Sequence, residues 1–300
     1  MQARLIAYPP QQAAIVRTAR QGERVRVGRN ADNELRIDHA SVSRLHAELI
    51  GSDAGWRLRD LHSKNGSFVD GQPADDTALI GACWLRFGDV HCEFELLSEQ
   101  ALAAEEQGRH ARRAAATAHT ARLARMTGLG DLLDESLRSV LELSQCERGF
   151  VLLAEEGDDA ASRDFLVRSA RALDPATLPD RAFSGSVGAV RRALQERRPV
   201  VANDIAHDAF FAGRASVVSH QLRALVCLPL FEGDRTLGAI YADRTDAGPP
   251  ITTLDIELLQ AFAEHAAVWI AARRATDQLV QQADAAPRWS RIVAAQAEVA

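Results

Sequence analysis

The feature that most constrains this chain is a change of texture at residue 98. Before it, short segments alternate polar and apolar side chains: Arg24 to Val27, Glu34 to Ile37, His46 to Ile50, Trp56 to Asp60, Ser67 to Val69, Trp84 to Phe87 and His91 to Leu96. Turn formers separate them at Gly28, Gly55, Asn65-Gly66, Asp70-Gly71 and Gly88-Asp89. Alternation with period two buries one face of a strand, and many short strands with frequent turns predict an all-β sandwich or barrel. After it, residues 98–127 are rich in Ala, Glu and Arg and contain no proline, which predicts an exposed joining helix. A chain of 300 residues broken in this way is expected to hold two domains.

Beyond the break the pattern is mixed. Gly128 and Gly130 interrupt the helix, and Leu133, Leu137, Val140 and Leu141 then recur at helical spacing. Strands are expected at Gly149 to Ala154, Asp164 to Ala170 and Pro199 to Ala202, with a helix over Val187 to Glu196 capped by Ser184 or Ser186. Ala224 to Phe231 and Thr236 to Ala242 read as a hairpin across a glycine-containing loop. A last long helix starts near Thr252 or Thr253, buries Leu258, Phe262 and Trp269 or Ile270, and runs to about Gln282. Residues 285–300 carry no clear pattern. The expected division is therefore residues 1–97, a helical linker 98–129, an α/β domain 130–273 and a C-terminal extension 274–300.

Composition narrows the function. Hydrophobic residues make up 47% and the net charge is −6, which argues against a broad nucleic-acid or membrane-binding surface. No secretory signal and no apolar run of spanning length is visible, so a cytoplasmic location is expected. The cysteines at 83, 92, 146 and 227 form no CxxC pair and read as buried thiols. GxxxxGK[ST], HExxH and protein-kinase signatures are absent, and Gly185-Ser186-Val187-Gly188 is no nucleophile elbow. The acid pairs Asp75-Asp76 and Asp158-Asp159 read as solvated loop residues. The expectation is no catalytic residue, no metal and no cofactor.

Three short motifs lie between the predicted strands: Gly28-Arg29, Ser43-Arg44-Leu45-His46 and Ser63-Lys64-Asn65-Gly66-Ser67. Lys64 is the only lysine in the chain. Loops at one end of a sandwich can converge, and these would bring two guanidinium groups, an amine, a hydroxyl and an amide together. A phosphorylated side chain carries about −1.5 to −2 charges and three acceptor oxygens. The arginine fork suits such a group, and an asparagine can bracket a peptide backbone.

The order of these motifs, with a tryptophan strand ending in Asp60-Leu61 and a closing Phe87-Gly88-Asp89 turn, resembles the forkhead-associated (FHA) domain over nearly all of residues 3–97. The resemblance implies that Arg29, Ser43 and Lys64 contact a phosphothreonine phosphate, helped by Arg44. It also implies that Asn65 holds the peptide backbone, while Gly28, His46 and Gly66 support the loops. Ser67 stands where the family commonly has threonine.

Residues 130–273 resemble a GAF domain, a sensory α/β fold with a central antiparallel sheet and flanking helices. The Arg148-Gly149-Phe150-Val151-Leu152-Leu153 strand, the Arg198-Pro199-Val200-Val201-Ala202-Asn203-Asp204 segment, the Leu225 to Tyr241 hairpin and the closing helix carry that resemblance. It implies a pocket covered by about residues 203–222, with Phe183, Phe210, Phe211, His220 and Tyr241 as candidate walls; core packing is the competing reading of each. Signatures of cyclic-nucleotide or bilin binding are missing.

The expectation is a phosphothreonine-dependent signalling adaptor. Its partner would be a Thr-phosphorylated protein, either a Ser/Thr kinase or a substrate of one. The GAF domain would sense a small molecule or support a homodimer through helices near 105–145 and 253–283. The alternative is a regulatory fragment or paralogue of an FHA–GAF transcription activator without its ATPase domain.

Overall fold

The computed structural model describes residues 2–155, 164–174, 186–203 and 222–285. The N-terminal region is a β-sandwich of two sheets. One has the order β2-β1-β11-β10-β7-β8, the other β4-β3-β5-β6-β9. The first sheet comprises β1 (Gln2–Tyr8), β2 (Ile15–Ala19), β7 (Ser67–Val69), β8 (Gln72–Pro73), β10 (Cys83–Phe87) and β11 (Val90–Leu97). The second comprises β3 (Arg24–Gly28), β4 (Leu35–Arg36), β5 (Ala47–Ser52), β6 (Gly55–Asp60) and β9 (Asp76–Leu79). Leu5, Val25, Val27, Leu49, Leu58, Leu85, Phe87 and Phe94 alternate inward from the two sheets to form the core.

All seven strands read from the sequence are present within two residues at each end. Four more, β1, β2, β8 and β9, were not foreseen. In β1 the burial pattern runs through consecutive Leu5, Ile6 and Ala7, so the period-two signal is lost. Asp76, expected on a loop, sits on β9 with its carboxylate on Arg57 at 2.8 Å, because the edge strand faces a row of arginines on β6.

Helix α1 (Glu99–Leu123) follows, capped by the Ser98 hydroxyl, then α2 (Leu129–Ser144). The expectation of a merely exposed α1 needs correction: Ala116, His119 and Leu123 are buried, and α1 packs into the second core alongside α2. That core lies on one face of a five-stranded antiparallel sheet of order β13-β12-β16-β15-β14. Its strands are β12 (Arg148–Ala154), β13 (Phe165–Arg171), β14 (Val200–Asn203), β15 (Ala224–Glu232) and β16 (Arg235–Arg244). Helix α3 (Val187–Glu196) covers the other face, capped by Ser186, and α4 (Thr253–Ala285) lies with α1 and α2.

The two regions touch directly. The Ala14 amide donates to the Ile251 carbonyl at 3.0 Å and the Thr253 amide donates to the Ala14 carbonyl at 3.0 Å. Arg192 of α3 reaches the Gln11 side chain. All four cysteines are free; Cys92, Cys146 and Cys227 are buried and Cys83 is half-buried. Burial pushes the thiols of Cys83 and Cys146 up to about 11, away from reactive thiolate character.

Candidate functional site

The three motif loops meet at one end of the sandwich. The Arg29 amide donates to the Ser43 carbonyl at 2.9 Å, and the Asn30 amide donates to the Arg44 carbonyl at 3.1 Å. The Lys64 amide donates to the Ser43 hydroxyl oxygen at 3.0 Å, so the third loop is fastened to the second through the very hydroxyl expected to face phosphate. That bond uses a lone pair of the serine and leaves its O–H free to donate. Arg29, Arg44, Lys64 and Asn65 are exposed, and Ser43 is half-buried.

His46 is fully buried and joins two loops. Its Nδ1 accepts from the Ser43 amide at 3.0 Å, so Nε2 carries the proton and donates to the Gly66 carbonyl at 3.1 Å. Burial holds its basicity below the ordinary value of 6.5, with the Gly66 bond and Asp60 opposing. The neutral imidazole is thus the form that fits. Phe87 packs edge-on against the ring at 5.7 Å.

The supporting glycines act by different means. Gly66 adopts φ +74°, a left-handed conformation that other residues enter at a cost. Gly28 ends a strand instead, and there a Cβ would lie 2.4 Å from the Arg44 carbonyl oxygen. Its role is close approach of two loops rather than a special turn.

Three residues that sequence reasoning passed over hold the loops. Buried Asn33 donates to the Asn30 and Arg44 carbonyls at 2.9 and 2.8 Å. Ser41 offers its carbonyl to the Asn65 amide at 2.7 Å and its hydroxyl oxygen to the Asp89 amide at 2.9 Å. Asp60 accepts from the Ser63 and Ser67 hydroxyls at 2.7 and 2.6 Å. Burial works against the Asp60 charge, but these bonds outweigh it and keep the carboxyl below its usual range. A short polar residue in a loop looks alike whether it braces or idles; only the Asp60-Leu61 signature hinted at one of them.

In the second domain Phe183, Phe210, Phe211 and His220 lie outside the described residues. Tyr241 is fully buried and stacks on Phe150 at 4.9 Å. Its hydroxyl donates to Asp243 at 2.8 Å and accepts from the Ser186 amide at 3.0 Å, so both hydrogen-bonding roles serve the fold. Arg148 closes on the same Asp243 carboxylate, with Nε at 2.7 Å. Among the described residues no group of three His, Cys, Asp or Glu side chains could hold a metal ion. No described helix is long and apolar enough to cross a membrane.

Comparison with known proteins finds both domains. The FHA domain model matches residues 25–88 and the GAF domain model matches residues 128–270. The ABC transporter ATP-binding/permease protein Rv1747 of Mycobacterium tuberculosis is 41% identical over 66 residues, which is 22% of this chain and 7% of that protein. The glycogen accumulation regulator GarA of Mycolicibacterium smegmatis is 30% identical over 67 residues, 22% of this chain and 42% of that protein. The chain therefore spans less than half the length of either curated relative. A solved FHA domain from a study of phosphothreonine-dependent FHA interactions is 23% identical, covering 32% of this chain and 98% of its own, with a TM-score of 0.29. FHA and GAF domains are regulatory modules rather than catalytic ones. This chain carries an FHA domain followed by a GAF domain.

Proposed function

We propose that the protein is a phosphothreonine-dependent signalling adaptor without catalytic activity. The observation that carries this reading is the fastening of all three motif loops around Ser43, with Arg29, Arg44 and Lys64 exposed beside it. Arg29, Lys64 and the free Ser43 proton would grip the phosphate, with Arg44 at the margin. Asn65, already oriented by the Ser41 carbonyl, keeps its side-chain carbonyl for a peptide N–H. The partner would be a Ser/Thr kinase or one of its phosphorylated substrates, met in the cytoplasm. Titration with a phosphothreonine peptide library and its unphosphorylated counterpart tests this. Binding should require phosphate, and Arg29→Ala should weaken it about tenfold or more, the worth of a charge-assisted hydrogen bond. Equal binding of both libraries would refute the reading.

The GAF domain would supply a homodimer. Ala261, His265, Val268, Ala272, Ala275 and Leu279 of α4 are all exposed, at alternating spacings of four and three. That is the repeat of a two-helix seam, and Val268 and Leu279 are 67% and 66% exposed. Paired FHA domains would bind a multiply phosphorylated partner with avidity. Val268→Glu should convert a sedimenting dimer to monomer while leaving single-peptide affinity unchanged. A wild-type monomer at high concentration would remove the dimer from the account.

A further inference from the structure

Between the two domains lies a crevice of about 730 Å³ among the described residues, within the size range of small-molecule sites. Its FHA wall combines aromatic and apolar side chains with His91, Asp89 and Glu93. Tyr8 and Trp84 stand 6.2 Å apart there, next to Pro9, and the Trp84 indole is 50% exposed. Its GAF wall carries Arg223, Arg244 and Gly248.

Arg244 is the informative residue. It is only 4% exposed, yet among the described residues no carboxylate pairs with its guanidinium. Its Nη2 donates to the Pro249 carbonyl, while Nε and Nη1 are buried with no hydrogen-bond partner. A buried guanidinium left in that state is costly, and an anion would relieve it. Gly248 covers it with backbone alone, since a Cβ there would come 3.1 Å from both Cζ and Nη1. The loop above the guanidinium meets it through the Pro249 carbonyl, and a carboxylate reaching Arg244 from the crevice would displace that contact. Arg223 is exposed and adjoins it: the Arg223 amide donates to the Arg244 carbonyl at 2.9 Å.

The two acids of the crevice, Asp89 and Glu93, belong to the opposite wall, where the Glu93 charge lies beside Tyr8. A ligand here would therefore lie with its negative end on the arginines and an apolar, planar body on Trp84 and Tyr8. The arginine fork matches a carboxylate in shape as well as charge.

We propose that the FHA–GAF crevice is a binding site for a small aromatic carboxylate, held by Arg244 and Arg223 and stacked on Trp84. The site draws its walls from both domains and includes none of Arg29, Ser43, Arg44, Lys64 and Asn65, although its Asp89 is tied to the loop residue Ser41. Nothing in it depends on the phosphopeptide reading.

Phenylacetate and its uncharged amide are suitable probes for the full-length protein. The readout is the indole N–H resonance of Trp84, assigned with Trp84→Phe. Phenylacetate should shift that resonance saturably with a dissociation constant of about 1 mM, and phenylacetamide should bind about tenfold more weakly. Arg223→Gln, on the surface, should weaken phenylacetate at least about fivefold with an unchanged fold. Arg244→Gln should weaken it further, provided its spectrum remains native; Arg223→Gln decides the matter if it does not. Absence of a saturable shift, equal binding of the two probes, or full affinity in Arg223→Gln would each overturn the proposal.

Discussion

In the FHA domain Arg29, Arg44 and Lys64 project from loops into solvent, held in place by backbone amides and by neutral side chains beneath them. In the GAF domain Arg148, at the start of β12, is instead drawn inward onto a fully buried Asp243, which also receives the Tyr241 hydroxyl. Desolvation raises the Asp243 carboxyl above its ordinary range, and Arg148 and Tyr241 oppose that rise. The first arrangement leaves charge available to a ligand. The second consumes it within the fold. The contrast teaches that a cationic side chain announces a site only when its neighbours satisfy each other and leave it alone.

The strongest way to break that contrast is Arg148→Met. It would strand a buried carboxylate and should destabilise the GAF domain by about 3–5 kcal/mol. Thermal melting followed by a GAF-specific probe would register it. Phosphopeptide affinity, measured where both domains are folded, should be unchanged. A matching loss of affinity would mean that the FHA loops lean on the GAF core.

Gly28→Ala is the smaller counterpart on the other side. Its methyl group would meet the Arg44 carbonyl oxygen and push the first loop from the second. Overpacking of this kind costs about 1–3 kcal/mol, and here peptide affinity should fall with stability. Retention of full affinity would show that the spacing of the two loops does not set the phosphate site.

Much of this was legible in the sequence, and for identifiable reasons. The motif loops could be found because Arg29, Ser43, Lys64 and Asn65 occur in a fixed order between strands that alternate cleanly. The strand signal failed at β1, where both faces are buried, and at the two-residue β8, too short for any periodicity. Asn33 and Ser41 escaped notice because their bonds run to backbone carbonyls or amides that only folding brings near. The fate of Tyr241 was ambiguous for a similar reason: an amphipathic ring suits a pocket wall and a core equally, and the deciding partners, Asp243 and Ser186, are a neighbour on the strand and a distant loop residue. Arg244 showed nothing in sequence, since an unsatisfied guanidinium has no pattern.

The smallest expected effect concerns acid, and it separates the two domains through their histidines. In the FHA domain His46 must be neutral, because Nδ1 accepts the Ser43 amide. Desolvation keeps its folded-state pKa below the ordinary 6.5. The unfolded chain therefore binds the proton more readily than the folded one, and stability that is complete above 6.5 declines as pH falls through the folded value. His119, buried on α1 where it faces Glu142 of α2, is shifted the same way, first by burial and then by Arg122, so the GAF domain should soften in the same direction. His46→Gln separates the two. Gln keeps a donor and an acceptor but cannot titrate, so it should flatten the decline of the FHA transition below the ordinary value of 6.5 and leave that of the GAF domain intact. Thermal melts rather than peptide binding are the right measurement, because a phosphothreonine itself titrates near pH 6 and would mask the protein's own response. If the FHA transition of His46→Gln still weakened with acid as steeply as before, the proton would be landing elsewhere, and the neutral imidazole would not be what holds the Ser43 loop to Gly66.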